Sequence, residues 1–140
     1  MRYYLSLGSN IGEREQTLRE AIKRMEQRIG TVTRCSSFYY SEPWGFESEN
    51  GFCNLCCLLE SELAPEQVLA ATQAIERELG RTHKSVNGLY ADRTIDIDII
   101  RVFDKEGKEI VSSTALLTIP HPLWKERDFV TIPLREICGE

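Results

Sequence analysis

Apolar positions along this chain switch between a strand-like and a helix-like period. Tyr3 to Leu7 is a short β-prone run that ends in Gly8-Ser9-Asn10-Ile11-Gly12, a turn-rich segment. Leu18, Ile22, Met25 and Ile29 then recur at helical spacing with charged residues between them. Gly30 follows the last apolar position and suits a helix C-cap. Thr31 to Tyr40, β-branched and aromatic, predicts a second strand, Glu42 to Gly51 a loop, and Phe52 to Leu59 a third strand. Pro65 opens a second helix, with Glu66 beside its positive end. Val68, Thr72, Ile75 and Leu79 mark its inner face and Gly80 its stop. Arg81 to Arg93 is polar, contains Gly88 and reads as a loop, and Thr94 to Val102 alternates as a fourth strand. Asp104 to Lys108 predicts a hairpin turn, and Ile110-Val111 and Leu116 to Ile119 predict short further strands. Pro120-His121-Pro122 breaks the chain before a short turn or helix.

The order strand, helix, strand, strand, helix, strand is the split β-α-β pattern of a ferredoxin-like α+β sandwich, here with extra short strands and a short C-terminal helix or turn. A length of 140 residues suits one domain, expected to span 1–140. Hydrophobic residues at 41% and charged residues at 28% are ordinary for a globular chain, which argues against disorder, collagen or coiled coil. The sum of 17 Lys+Arg and 22 Asp+Glu is −5, the wrong sign for a generic nucleic-acid binder. No apolar run approaches the roughly 20 residues that span a membrane. Met1-Arg2-Tyr3-Tyr4-Leu5 lacks the apolar stretch of a signal peptide, so the expected location is cytoplasmic. Five cysteines, an odd count, fit reduced thiols. Cys53 and Cys56 lie three apart on a strand and face opposite sides; with Cys57 they read as small buried hydrophobes.

Asp96-Ile97-Asp98 is the sharpest chemical signal. Residues two apart on a strand share a face, so the two acids point one way while Ile95, Ile97 and Ile99 face the core. Their carboxylates would lie roughly 6–7 Å apart and repel by roughly 2.5 kcal/mol at an effective dielectric near 20. A cation between them removes that cost, and Mg²⁺ suits a few carboxylates plus substrate phosphates. An isolated D-x-D is usually a solvated polar face, so its surroundings decide. Arg81, His83, Lys84 and Arg93 lie upstream and His121, Lys125 and Arg127 downstream, a setting for Mg²⁺ bound to a polyphosphate. From Cys35 to Glu76 there are seven Glu and no Lys or Arg, so cationic contacts to an anion must lie outside that window. Gly8 to Gly12 lacks the G-K-[ST] of a phosphate loop and reads as a tight turn, with Ser9 or Asn10 helping to cap the helix. Gln73 and Glu76 share a helix face, as a solvated pair or as ligand contacts beside Arg81. Trp44, Phe46, Phe52 and Asn54 could stack on and read a planar heterocycle, or simply cover the core.

Together these segments resemble the 6-hydroxymethyl-7,8-dihydropterin pyrophosphokinase family of folate biosynthesis. The resemblance rests on Leu7-Gly8-Ser9-Asn10-Ile11-Gly12, Ser36-Ser37-Phe38-Tyr39, Phe52-Cys53-Asn54, Gln73-Ala74-Ile75-Glu76 and Gly80-Arg81. It closes with Arg93-Thr94-Ile95-Asp96-Ile97-Asp98-Ile99 and Ile119-Pro120-His121-Pro122. It implies a ferredoxin-like fold and transfer of diphosphate from ATP to the pterin hydroxymethyl group, with AMP as the other product. It implies that Asp96 and Asp98 hold two Mg²⁺ ions. Gln73, Glu76, Arg81, His83, Lys84, Arg93, His121 and Arg127 match ATP-contacting positions, and the main chain near Ile99 would meet adenine. Phe52 and Phe129 match the rings that sandwich the pterin, Asn54 its amide reader, and Ser41 to Trp44, with Glu42 between them, the loop along its edge. Asp96, Asp98, Arg81, Arg93 and His121 would carry the chemistry, with the Arg81–Arg93 loop as a lid. His83, Tyr90, Asp92 and Pro122 depart from residues common in the family, which bears on loop closure and ATP affinity.

The expected partners are small molecules, ATP and the pterin, with no nucleic acid, no membrane and a monomeric chain. Two rivals make different products. A non-catalytic small-molecule-binding ferredoxin-like module would form no AMP. A nucleotidyltransferase with a D-x-D palm strand would release pyrophosphate.

Overall fold

The computed structural model describes residues 1–10, 12–41, 51–80 and 95–138. Its elements run β1 (Arg2–Ser9), α1 (Arg14–Arg28), β2 (Thr31–Cys35), β3 (Tyr39–Ser41), β4 (Phe52–Glu60), α2 (Pro65–Gly80) and β5 (Asp96–Phe103). A two-stranded ribbon, β6 (Ser112–Ser113) and β7 (Thr118–Ile119), follows, then a 3-10 turn (Trp124–Glu126) and α3 (Asp128–Cys138). The main sheet has the order β2-β4-β1-β5, with β3 also on β4, and every pairing is antiparallel. With α1 and α2 as the crossovers, this is the ferredoxin-like α+β arrangement that the element order predicts.

The central strand separates two cores. Tyr3, Leu5 and Leu7 of β1 join Cys53, Leu55, Cys57 and Leu59 of β4 and Ile97, Ile99 and Val102 of β5 under the two crossover helices. Those helices contribute Leu18, Ala21 and Met25 from α1 and Val68 and Ile75 from α2. On the opposite face Cys56, Leu58 and Ile100 pack against Val130, Leu134 and Ile137 of α3. Each fully buried aliphatic side chain contributes roughly 1.5–3 kcal/mol. Cys53 and Cys56 fall in different cores, as strand alternation requires, and all five thiols are free. Burial pushes the Cys56 thiol up to about 12.

Several local expectations are corrected. The strand expected over Thr31–Tyr40 is two strands, because Ser36 accepts the Cys56 N–H through its hydroxyl at 2.9 Å while its own N–H donates to the Cys56 carbonyl. Ser37 meanwhile donates its N–H and hydroxyl to Glu136 of α3. These bonds turn residues 36–38 out of the ladder. Ser9 and Asn10 do not cap α1: both are buried, and the helix starts after Glu13 with no side-chain cap. Gly30 is not a left-handed cap either. Ile29 closes the helix in αR conformation, and the Ser61 hydroxyl satisfies its carbonyl at 2.7 Å. What requires glycine at position 30 is proximity, since a Cβ there would enter the Glu60 carbonyl of β4. The short strands expected at Ile110-Val111 and Leu116–Ile119 form only at Ser112–Ser113 and Thr118–Ile119. The expected short C-terminal helix or turn is both, a 3-10 turn and the 11-residue α3. The hairpin at Asp104–Lys108 is present, with the Asp104 carboxylate accepting the Glu106 and Lys108 N–H groups.

The C-terminal turn of α2 is tied to α1. Arg24 and Arg28 both reach Glu78, at 2.8 and 2.6 Å, and the Arg28 and Arg24 hydrogen bonds hold the Glu78 carboxyl down to about 2. Gly30→Ala should destabilise the fold by roughly 1–3 kcal/mol through overpacking against Glu60. A denaturant midpoint within error of wild type would contradict that placement.

Candidate active site

Register across β4, β1 and β5 builds the site. Because Leu5 and Leu7 enter the helix-side core, Ser6 and Gly8 face the α3 side. Gly8 pairs with Asn54 on one neighbour and Asp96 on the other; Ser6 pairs with Cys56 and Asp98. The two acids, the Asn54 amide and, by the same alternation, Phe52 therefore share one face. Neighbouring strands lie about 4.8 Å apart, so Asn54 and Asp96 look across Gly8 at about 10 Å. Gly8 keeps that floor open: a Cβ there would lie 2.5 Å from Asn54 Nδ2 and 3.8 Å from the Phe52 ring. Asn54 is 5% exposed and its Oδ1 has no hydrogen-bond partner among the described residues. A buried amide oxygen left in that state is costly unless a water or a ligand donates to it.

A bulge brings the cationic segment to the acids. The β1–β5 register shifts between Tyr4 and Leu5, leaving Ile100 as the extra residue. The Ile100 carbonyl accepts the His121 N–H at 2.9 Å, which anchors residues 121–127 beside this part of β5. The His121 Nδ1 accepts the Leu123 N–H at 3.2 Å, so a neutral ring carries its proton on Nε2. Burial and the charge of Arg127 push the His121 pKa below its ordinary value, against the opposing pull of Asp96. His121 is thus a neutral Nε2–H donor at pH 7 that senses both Arg127 and Asp96. The Arg127 guanidinium lies 5.7 Å over the ring of Phe129, which packs on the α3-side core.

Glu76 reaches the same acids from α2. Its Oε2 accepts the Ile97 N–H at 2.8 Å, an outward-pointing donor on edge strand β5. Burial, then the nearby Asp96 and Asp98, raise its pKa to about 7, despite the opposing hydrogen bond from Ile97. Glu76 thus feels the negative charge of both aspartates, a like-charge contact that a divalent cation would relieve. No group of three or more His, Cys, Asp or Glu is gathered for a metal among the described residues. Two aspartates on one face fit Mg²⁺, which takes one or two carboxylates and fills its shell with water and phosphate oxygens.

Of the other expected site residues, Gln73 is exposed on α2, Ser41 ends β3 opposite Phe52, and Ile99 pairs with Leu5. Glu42, Trp44, Arg81, His83, Lys84 and Arg93, with the lid expected over Arg81–Arg93, lie outside the described residues. Sequence reasoning missed the brace on the 3-10 turn that follows His121. Arg101 forms a two-pronged bond with Glu109 at 2.9 and 2.8 Å and lies over the rings of Phe103 at 5.0 Å and Trp124 at 5.5 Å. The available signal was an arginine within the apolar fourth strand.

The fold and site define a ferredoxin-like α+β protein with an acid pair, a buried amide and a cationic segment on one sheet face. The family model for 7,8-dihydro-6-hydroxymethylpterin-pyrophosphokinase (HPPK) matches residues 4–139, and the chain belongs to that family. It is 49% identical over 137 residues to the 2-amino-4-hydroxy-6-hydroxymethyldihydropteridine pyrophosphokinase of Porphyromonas gingivalis, covering 96% of this chain and 89% of that one. The enzymes of the same name from Bacillus subtilis and Aquifex aeolicus are 43% and 37% identical, over 98% and 96% of this chain and 78% of each of theirs.

The Glu76 shift sets a pH dependence. The folded protein holds a proton that the unfolded chain releases near its ordinary value of 4.5, so this group favours folding at low pH and the contribution is lost as pH rises through about 7. Relative to Glu76→Gln, which removes this titration and leaves the opposing one of His121 in place, the metal-free wild type should lose thermal stability as pH rises from about 5 through about 7. An unchanged slope in the variant would show that Glu76 is not the titrating group.

Proposed function

We propose that this protein transfers diphosphate from ATP to the hydroxymethyl group of 6-hydroxymethyl-7,8-dihydropterin, giving AMP and the pterin diphosphate in folate biosynthesis. The observation that carries the reading is the common face of Asp96, Asp98 and Asn54, floored by Gly8. Family membership and the names of the relatives support the same reaction.

The pterin hydroxyl oxygen attacks the β-phosphorus in line, the bond from that phosphorus to the AMP oxygen breaks, and the hydroxyl proton goes to solvent. Asn54 Oδ1, without a partner among the described residues, accepts an N–H of the pterin edge. Phe52 and Phe129 offer their rings to the pterin plane. His121, through Nε2–H, and Arg127 donate to phosphate oxygens, stabilising charge on the transferred group and on departing AMP. Asp96 and Asp98 would hold the Mg²⁺, and we take the number of ions as two. Bound Mg²⁺ supplies Lewis-acid stabilisation of phosphate charge and makes the acceptor hydroxyl easier to deprotonate. Arg81, His83, Lys84 and Arg93 would add cationic contacts to ATP. Gln73 and Glu76 would line the ATP side from α2, and Ser41, Glu42 and Trp44 the pterin edge.

We further propose that residues 1–140 act as one domain, as a cytoplasmic monomer on small molecules. No helix among the described residues is long and apolar enough to cross a membrane. Asp98→Ala should lower AMP formation by at least about a hundredfold, with the thermal midpoint retained and chelation of Mg²⁺ abolishing the wild-type rate. Near-normal turnover in that variant would refute the assignment of Asp98.

A further inference from the structure

The mechanism leaves unused a polar cluster at the start of α1, on the far side of β3. Arg14 Nη1 donates to the Gly51 carbonyl at 2.8 Å, across 37 residues of sequence. The same guanidinium lies 5.5 Å over the ring of Tyr40. The Tyr40 hydroxyl donates to Glu15 Oε2 at 2.9 Å. Gly51 directly precedes Phe52, and Tyr40 directly precedes Ser41, and Phe52 and Ser41 are cross-strand partners. The α1 turn therefore holds both sides of the β3–β4 pair next to Ser41 and Phe52.

We propose that Arg14 and Glu15 are positioning residues for the pterin site, setting the backbone from which Phe52 projects. The proposal rests on the diphosphate-transfer reading above.

Three observations carry it. Strand β3 is only three residues long and, among the described residues, pairs with β4 alone, so its placement depends on bonds from outside the sheet. Tyr40 is 54% exposed, so burial does not fix its ring; its contacts with Glu15, Arg14 and the Phe38 ring do. The Gly51 backbone runs so close to Ser41 that a Cβ would lie 2.9 Å from the Ser41 carbonyl oxygen. A small shift of Gly51 is thereby passed to both Ser41 and Phe52. Arg19, 5.2 Å over Phe38, extends the cation-on-ring contacts one step further from the site. Hydrogen bonding to Glu15 raises the Tyr40 pKa to about 12, which keeps the hydroxyl a donor at all working pH values.

The test is steady-state AMP formation by wild type, Arg14→Ala, Arg14→Lys and Tyr40→Phe, varying 6-hydroxymethyl-7,8-dihydropterin and MgATP separately, with thermal midpoints in parallel. Arg14→Ala should raise the pterin KM about tenfold, the loss of one charge-assisted hydrogen bond. Its ATP KM and its kcat at saturating pterin should stay within about twofold of wild type. Arg14→Lys keeps a donor and should recover a good part of the loss, while Tyr40→Phe should raise the pterin KM about two- to threefold. Tyr40→Phe deletes a single oxygen, so it carries the test should Arg14→Ala fail to fold. An unchanged pterin KM would overturn the proposal. So would a joint rise of both KM values with a lowered midpoint and no rescue by lysine, which is what a purely fold-stabilising contact gives. If wild type forms no AMP, the functional reading fails on its own. Fluorescence titration of the pterin into wild type and Arg14→Ala then decides the positioning role, and equal affinities, including no binding to either, overturn it.

Discussion

The site depends on the pairing of one central strand with two neighbours in a fixed register. In β1 the odd positions Tyr3, Leu5 and Leu7 are committed to the helix-side core, which forces Ser6 and Gly8 to the other face. A one-residue slip against β4 or β5 would expose that whole apolar set, so burial of three large side chains enforces the pairing that puts Asn54, Gly8 and Asp96 in one row. The chemistry is therefore positioned by hydrophobic burial on the face that does not contain it.

That face carries groups of both signs. Asp96 and Asp98 share it, Glu76 arrives from α2 with its pKa raised to about 7, and His121 is kept neutral by burial and Arg127. A neutral histidine that donates through Nε2 and an arginine stacked on Phe129 suit an anionic substrate. The crowded carboxyl groups suit the divalent cation that accompanies such an anion.

Much of the fold was legible because it lies in local period. Alternation over Ile95–Ile99 assigned the isoleucines to the core and the acids to one face, and the spacing of Leu18, Ile22 and Met25 located α1. The misses at Gly30, Ser36 and Gly8 involve partners distant in sequence. Gly30 reads as a cap until the Glu60 carbonyl is seen beside it. Ser36 reads as a strand residue until its hydroxyl is found bonded to Cys56. Gly8 reads as a turn glycine, and only the tertiary pairing shows it holding space for the Asn54 amide. The ambiguity of Glu76, solvated or functional, is also tertiary: its partner is a backbone N–H on an edge strand.

The most direct measurement is Mn²⁺ binding followed by electron paramagnetic resonance, with a non-transferable ATP analogue and the pterin both present. Saturable binding of two ions per wild-type chain is expected, lost or sharply weakened in Asp96→Asn and Asp98→Asn while the folded midpoint is kept. Undiminished Mn²⁺ binding in both variants would mean that the cation sits elsewhere, and the assignment of the acid pair would fall.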